Sequence, residues 1–198
     1  MTLWLKARRI PLLAVGLALY AGVAIAAGSL TANLPTLTSS GAAGVPLMLF
    51  APLPACAALI FCLESGSPGA EGTASRRVAR YDQVVIVLSG VVALTIGYGT
   101  AVLRSAPVAE AAGRNMLFLT GIMLCARWLW DGRIGVLAGI AWVIMVTLIG
   151  FNARREPYTW AVIGLPPHDI AGMALSLTCF TLGALLLASR KKSKTVSG

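Results

Sequence analysis

QVVIVLSGVVALTIGYGTAVL, residues 83–103, is an uninterrupted apolar run built almost entirely from Val, Leu, Ile, Gly and Ala. As an α-helix it extends about 31 Å at 1.5 Å per residue, which matches the roughly 30 Å hydrocarbon core of a bilayer. It shows no two-residue alternation and is about twice as long as a membrane β-strand. The run therefore predicts a transmembrane helix and an integral membrane protein.

Five other apolar runs have similar character, at about 10–30, 45–63, 113–130, 134–151 and 170–189. The run ending at Trp130 is short unless its helix begins nearer Val108. Only 12% of the residues are charged, about half the usual share in soluble domains. We therefore predict an all-α polytopic protein with about six transmembrane helices, forming a single membrane domain over residues 1–198.

The basic residues predict the orientation of these helices. Twelve of them form four groups that alternate correctly through six spans: Lys6, Arg8 and Arg9; Arg76, Arg77 and Arg80; Arg127 and Arg133; and Arg190, Lys191, Lys192 and Lys194. The opposite side carries four, namely Arg104, Arg114, Arg154 and Arg155. Because cytoplasmic loops carry the excess of Lys and Arg, both termini are expected in the cytoplasm, with the protein in the plasma (inner) membrane.

Two other interpretations of the charge and of the first span are less favoured. A net charge of +9 would suggest nucleic acid in a soluble protein, but here the basic blocks flank apolar runs without interleaved aromatic residues. The first span, with small residues near Ala24 and Ala27, is similar to a signal peptide. Cleavage would leave five spans and break the charge alternation, so we expect an uncleaved helix and no nucleic-acid partner.

The sequence offers no catalytic, cofactor-binding or metal site that one chain could complete alone. His168 is the single histidine, which excludes an H-E-x-x-H zinc site. The lysines lie only at positions 6, 191, 192 and 194, which excludes a G-x-x-x-x-G-K-[ST] phosphate loop. The four cysteines lie in apolar runs without a C-x-x-C pair and are expected to pack as small hydrophobic residues. Asp169, beside His168, is expected at the start of the last helix rather than in an acid/base pair.

The longest hydrophilic segment, 64–82, is predicted to be a cytoplasmic loop. Its part from Thr73 onward can form two helical turns with neighbouring basic side chains. Two interpretations stay open: a solvated loop that only fixes topology, or a docking surface for a cytoplasmic partner. The residues of the docking surface would be Glu71, Arg76, Arg77, Arg80 and Asp82.

Residues 152–169 are predicted to lie on the extracytoplasmic side and either to dip into the membrane interface or to re-enter the bundle. Tyr158 and Trp160 suit the lipid headgroup layer, and irregular backbone is tolerated at membrane depth where protein surrounds it. The expected outer gate comprises Tyr158, Trp160, Gly164, Pro166 and Pro167. For Arg114 and Asn115, snorkelling of the arginine to the outer surface is favoured over a polar path.

Two small-x-x-x-small spacings, Gly135 with Gly139 and Ala93 with Gly97, predict close helix packing. They carry no information about which helices meet.

The layout resembles the membrane subunits of type 2 ATP-binding-cassette exporters. Shared features are six spans, a basic cytoplasmic segment after the second and an apolar re-entrant segment before the sixth. Local patterns resemble small actinobacterial membrane proteins of that kind: Glu71 with Arg76-Arg77-x-x-Arg80, Arg114-Asn115-Met-Leu-Phe-Leu-Thr-Gly121, and Pro157-Tyr-Thr-Trp160 ahead of Pro167-His168-Asp169.

The resemblance implies a permease subunit that forms a homo- or hetero-dimer and docks a separate cytoplasmic ATPase. It also implies a path that opens between protomers when ATP binds. Two other classes stay open from the residues alone: a structural or assembly subunit of a larger membrane complex, and a membrane-embedded enzyme acting on lipid or quinone.

The predicted orientation is tested by cysteine labelling in intact cells. Ser40→Cys should react with a membrane-impermeant thiol reagent, because the uncharged segment after the first span is expected outside. Ser75→Cys is the matched control and should react only after permeabilisation. The reverse pattern for the two variants would show that the orientation is inverted.

Overall fold

The computed structural model describes residues 9–26, 30–35, 42–65, 68–105, 108–152 and 156–193, without the side chains of 31–45, 68–79 and 190–193. Within these residues there are six α-helices: α1 Ile10–Ala26, α2 Pro52–Glu64, α3 Pro68–Arg104, α4 Val108–Leu129, α5 Gly132–Ile149 and α6 Ile170–Ser193. Between α1 and α2, strands β1 (Thr31–Pro35) and β2 (Ala42–Pro46) form an antiparallel hairpin that pairs Thr31 with Pro46. Two 3-10 turns, Leu47–Leu49 and Val162–Gly164, precede α2 and α6.

Five of these segments are long and apolar enough to cross a membrane, and α1 is a shorter apolar helix. Large apolar side chains lie exposed along the bundle and contact lipid: Val84, Val87, Leu88 and Val91 on α3, Leu137 and Ile144 on α5, and Leu182 and Leu185 on α6. The chain is an all-α polytopic membrane protein, as the sequence predicts.

Basic residues of successive connections meet at one end of the bundle. Arg127, near the end of α4, donates to the Leu63 carbonyl oxygen at the end of α2 (3.1 Å). Tyr20 of α1 donates to the Ala93 carbonyl oxygen of α3 (3.2 Å), and the residues before this bond on each helix line one groove, Ile10 to Leu17 with Tyr81 to Val92. The two helices therefore run side by side in the same direction, with Arg9 and Arg80 at the same end. Following the charge-based orientation, we call this the cytoplasmic end and the opposite one the outer end.

Helix α4 is enclosed by the other helices. It packs against α2, α3, α5 and α6. In its most apolar 18-residue stretch, 78% of the residues are buried, compared with 61% in the corresponding stretch that includes α2 and 33%, 33% and 28% in those of α3, α5 and α6. Its mean hydropathy is 1.2, whereas that of the other spans is 2.0. A helix surrounded by protein needs little apolar surface toward lipid, which explains why its sequence signal is the weakest. It begins at Val108, five residues before the sequence boundary of 113.

Glycines bring helix backbones together around α4. A Cβ atom at Gly121 would lie 2.5 Å from the Cys179 carbonyl carbon of α6, which leaves no space for any side chain. A Cβ at Gly135 of α5 would lie 2.7 Å from the Met123 oxygen, and one at Gly97 of α3 would lie 2.9 Å from the Ala109 oxygen. Both small-residue spacings therefore lie at contacts with α4, as helix packing in membranes favours.

Several boundaries differ from the sequence expectation. Where a loop over 64–82 was expected, α3 already begins at Pro68 and continues into the membrane as one helix of 37 residues. Proline suits the first helical turn, and the Ala- and Arg-rich sequence that follows favours helix. α2 begins at Pro52, with Pro at its first turn, rather than at 45, because the hairpin and a 3-10 turn occupy the preceding residues.

The contact between α4 and α6 is tested by Gly121→Ala. The added methyl meets backbone atoms of α6 that cannot rotate away, so we expect the free energy of unfolding to fall by about 1–3 kcal/mol. Denaturant unfolding in detergent micelles measures this. Gly99→Ala is the matched control, because nothing lies within 4 Å of a Cβ at that position. Equal stability of the two variants would contradict the close contact.

Candidate functional site

The outer segment, residues 151–169, joins α5 to α6 at the outer end and folds back into the bundle. It leaves α5 as a tight turn, in which Phe151 forms a β-bridge with Pro157 and the Tyr158 amide donates to the Gly150 oxygen (2.9 Å). Asn152 and Glu156 close the turn, since the Glu156 amide donates to Asn152 Oδ1 (2.9 Å). Of the described residues beyond this turn, Val162 and Ile163 are buried, which places irregular backbone inside the bundle.

Arg114 of α4 holds this irregular backbone. Its Nη1 donates to the Pro166 oxygen (2.8 Å), and its Nη2 donates to the oxygens of Leu165 (2.8 Å) and Val162 (3.2 Å). The side chain is 1% exposed. The expectation that Arg114 snorkels to the surface is therefore wrong. The physical reason is that buried carbonyl groups need donors, and a guanidinium supplies several in a fixed fork.

Asn115 extends the same contact by one residue. Its Nδ2 donates to the Ile163 oxygen (2.8 Å), and the residue is 1% exposed. Together Arg114 and Asn115 supply hydrogen bonds to four carbonyl oxygens between residues 162 and 166. The two adjacent polar residues of α4 thus add to the few backbone hydrogen bonds that the segment makes by itself.

Acidic groups surround the buried cation. Asp169 and Glu110 both lie close enough to Arg114 to interact with its charge. Asp169 Oδ2 also accepts the Gly172 amide (2.6 Å), so it caps the start of α6 as the sequence predicts. Glu110 lies 3.5 Å from the exposed His168 ring, which links the carboxylate to the outer surface. His168 and Asp169 therefore have separate partners and do not form an acid/base pair with each other.

Aromatic rings connect the outer segment to the core. Tyr158 stacks on Trp160 with centroids 6.3 Å apart, and Trp160 meets Trp142 of α5 edge-on at 6.3 Å. Trp142 in turn contacts Phe118 of α4 at 5.6 Å. Since Tyr158 and Trp160 are partly exposed at the outer end, this series runs from the surface to the central helix.

A cavity of about 120 Å³ lies beneath the outer segment. Its lining comes from the 3-10 turn before α2, from α4 and from the outer segment: Pro46, Met48, Leu49, Val108, Ala111, Ala112, Asn115, Ile163, Gly164, Leu165, Pro166 and Pro167. Among the residues that the structure describes, the buried Asn115 Oδ1 has no hydrogen-bond partner. At roughly 30 Å³ per water molecule, the volume suffices for about four waters or one small polar group that donates to this oxygen.

The structure divides the expected outer gate into two parts. Gly164, Pro166 and Pro167 line the cavity, whereas Tyr158 and Trp160 belong to the aromatic series at the surface. Sequence reasoning considered Asn115 only in the less favoured alternative of a polar path, and it did not identify Met48 as part of this site. The polar pair at the start of a weakly apolar helix was the available signal for Asn115, and no local signal identified Met48.

The expected docking residues belong to the cytoplasmic part of α3. Glu71, Arg76 and Arg77 lie on helical backbone, and their side chains lie outside the described residues. Arg80 is exposed, but Asp82 is only 4% exposed and so lies off the accessible surface. Within the described residues, no group of three or more His, Cys, Asp and Glu side chains is arranged to hold a metal ion.

No protein-family model, curated protein sequence or solved structure matches this chain significantly.

Replacing Arg114 tests the anchoring of the outer segment. Arg114→Met removes its three hydrogen bonds, and of its acceptors the Leu165 oxygen has no backbone donor among the described residues, whereas the Val162 and Pro166 oxygens keep the Leu165 and Asp169 amides. A buried carbonyl left without a donor costs about 1–3 kcal/mol. We expect amide hydrogen exchange over residues 162–169 to accelerate by roughly five- to a hundredfold. Arg104→Met, at the exposed end of α3, is the control and should leave exchange in that peptide unchanged. Equal protection in both variants would refute the anchoring role.

Proposed function

We propose that this chain is the permease subunit of an ATP-driven exporter and works with a separate cytoplasmic ATPase subunit. The observation that carries the proposal is the outer segment before the last helix, which is folded into the bundle and held by the central helix. The class of transporter is proposed from the resemblance of the six-span layout to type 2 ATP-binding-cassette membrane subunits. In this proposal the outer segment closes the transport path at the outer end.

A continuous set of contacts links the two ends of the molecule. α3 has 37 residues, of which Arg80–Arg104 form the membrane-spanning part. At the outer end, Gly97 of α3 packs on the backbone of Gly113 in α4, next to Arg114. Arg114 holds the outer segment. In the proposed mechanism, displacement of the cytoplasmic part of α3 shifts α4 and loosens the outer segment.

The ATPase would dock on the cytoplasmic part of α3. This part of α3 carries Glu71, Arg76, Arg77 and Arg80 and is continuous with the membrane span. A partner bound there would therefore act directly on α3, which reaches the outer end. Dimerisation with a second membrane subunit, identical or different, would place the transport path between protomers, and the outer cavity would face that path.

A structural or assembly subunit of a larger membrane complex is the second candidate, and one observation favours it. The buried polar groups Arg114 and Asn115 use their described hydrogen bonds to hold backbone, which is a structural role. Such a protein would need no energy source and would have no moving outer segment.

Charge reversal on α3 tests the proposal. The test combines Arg76→Glu, Arg77→Glu and Arg80→Glu, because each exposed charge contact contributes only about 0.2–1 kcal/mol and several must be lost. The triple variant should lose its ATP-hydrolysing partner from the purified complex. The measurement is ATP hydrolysis and subunit composition of the complex isolated from native membranes. Arg133→Glu, exposed at the cytoplasmic start of α5, is the matched control and should retain both.

A contrasting variant separates the two ends of the molecule. Trp160→Ala should keep the ATPase bound but reduce transport by reconstituted complexes, whereas Trp130→Ala, exposed on the cytoplasmic turn, should affect neither. A native complex without a nucleotide-binding subunit would refute the exporter proposal and support the structural subunit. Transport by the lone chain in a pH gradient would refute it as well.

A further inference from the structure

An apolar groove runs between α1 and α3 on the surface of the bundle, remote from the outer segment. Its volume is about 380 Å³, and its described lining comes from these two helices: Ile10, Leu13, Ala14, Leu17, Tyr81, Val84, Val85, Leu88, Ser89 and Val92. The Ser89 hydroxyl donates to the Ile86 oxygen of its own helix (2.8 Å) and so presents no free donor to the groove. The groove is therefore suited to a hydrocarbon ligand.

The groove has the depth of one lipid leaflet. Its lining on α3 extends from Tyr81 to Val92, which is about 16 Å of helix at 1.5 Å per residue. Half of a 30 Å hydrocarbon core is about 15 Å. Just beyond Val92, the hydrogen bond from Tyr20 to the Ala93 oxygen joins the two helices and closes the groove. With the orientation that the basic residues predict, this part of the groove corresponds to the cytoplasmic half of the membrane.

Positive charge lies at the mouth of the groove. Arg9 precedes Ile10 and Arg80 precedes Tyr81, and both arginines are exposed. Asp82 is the acidic residue of this region, but it is buried rather than directed into solvent at the mouth. The cytoplasmic leaflet is the one that carries anionic lipid and attracts basic segments next to spans. The positive charge at the mouth and the depth of the groove therefore both favour an anionic lipid of that leaflet.

We propose that the groove binds an anionic glycerophospholipid of the cytoplasmic leaflet. One acyl chain lies between α1 and α3, and the phosphate lies between Arg9 and Arg80. A transmembrane helix of a second chain fits less well, because a helix about 10 Å wide occupies roughly 1,200 Å³ over the same length. It would also have to continue past the closure at Tyr20, whereas an acyl chain ends there.

Native mass spectrometry tests the site. The full chain is released from nanodiscs that contain equal amounts of phosphatidylglycerol and phosphatidylcholine, and the lipid that stays bound is identified. The wild type should retain phosphatidylglycerol in preference to phosphatidylcholine. Arg9→Gln and Arg80→Gln should each reduce retention about fivefold, since one basic residue near an anionic surface contributes about that factor. Arg104→Gln removes an exposed arginine at the opposite end of α3 and should leave retention unchanged.

A second variant fills the groove without altering charge. Ala14→Leu places a larger apolar side chain in the lining and should abolish retention of the lipid, whereas Ala141→Leu, at an exposed position of α5, should not. Equal retention of the two lipids by the wild type, or unchanged retention in Ala14→Leu, would overturn the proposal. It would also be overturned if Ala14→Leu released a protein subunit instead of lipid.

Discussion

Three carbonyl oxygens of an irregular segment converge on one guanidinium, that of Arg114, and the outer half of the protein depends on this contact. Away from water, carbonyl groups outside a helix need other donors. Arginine supplies them from a single side chain that stays charged. The acidic groups Glu110 and Asp169 nearby offset the buried charge, so the cation remains inside the bundle at a tolerable cost.

This contact also explains the arrangement of the helices around it. Arg114 and Asn115 reach the outer segment only because α4 occupies the centre of the bundle. α4 in turn occupies the centre because glycines allow close approach: Gly121 meets the backbone of α6, and Gly97 of α3 meets that of α4. Small residues that sequence analysis treats as weak packing signals thus determine where a buried cation is held.

The sequence was sufficient for the features that depend on composition along one segment. Apolar runs predicted the spans, and the acidic residue before α6 predicted its cap. The role of Arg114 was not predictable, because its acceptors lie 48–52 residues away in sequence and are backbone atoms of any residue type. Snorkelling was the reasonable expectation for an arginine near a helix start, and only the folded-back segment changes it.

The continuity of α3 was missed for a related reason. A hydrophilic segment after an apolar one indicates a loop, but hydrophilic residues with good helix propensity continue a helix beyond the membrane surface equally well. From the pattern alone, residues from Thr73 onward were compatible with both. The cavity at the outer end also depends on tertiary contacts, since its lining combines the residues just before α2, the start of α4 and the outer segment.

The burial of α4 has a consequence for biogenesis. During insertion at the translocon each segment is sorted largely by its own hydrophobicity, and charged residues within a span make insertion less favourable. α4 combines Glu110, Arg114 and Asn115 with the lowest hydropathy among the five longer spans. The neighbours that surround it are synthesised both before it (α2 and α3) and after it (α5 and α6), so its contacts are complete only once the whole bundle is in the membrane.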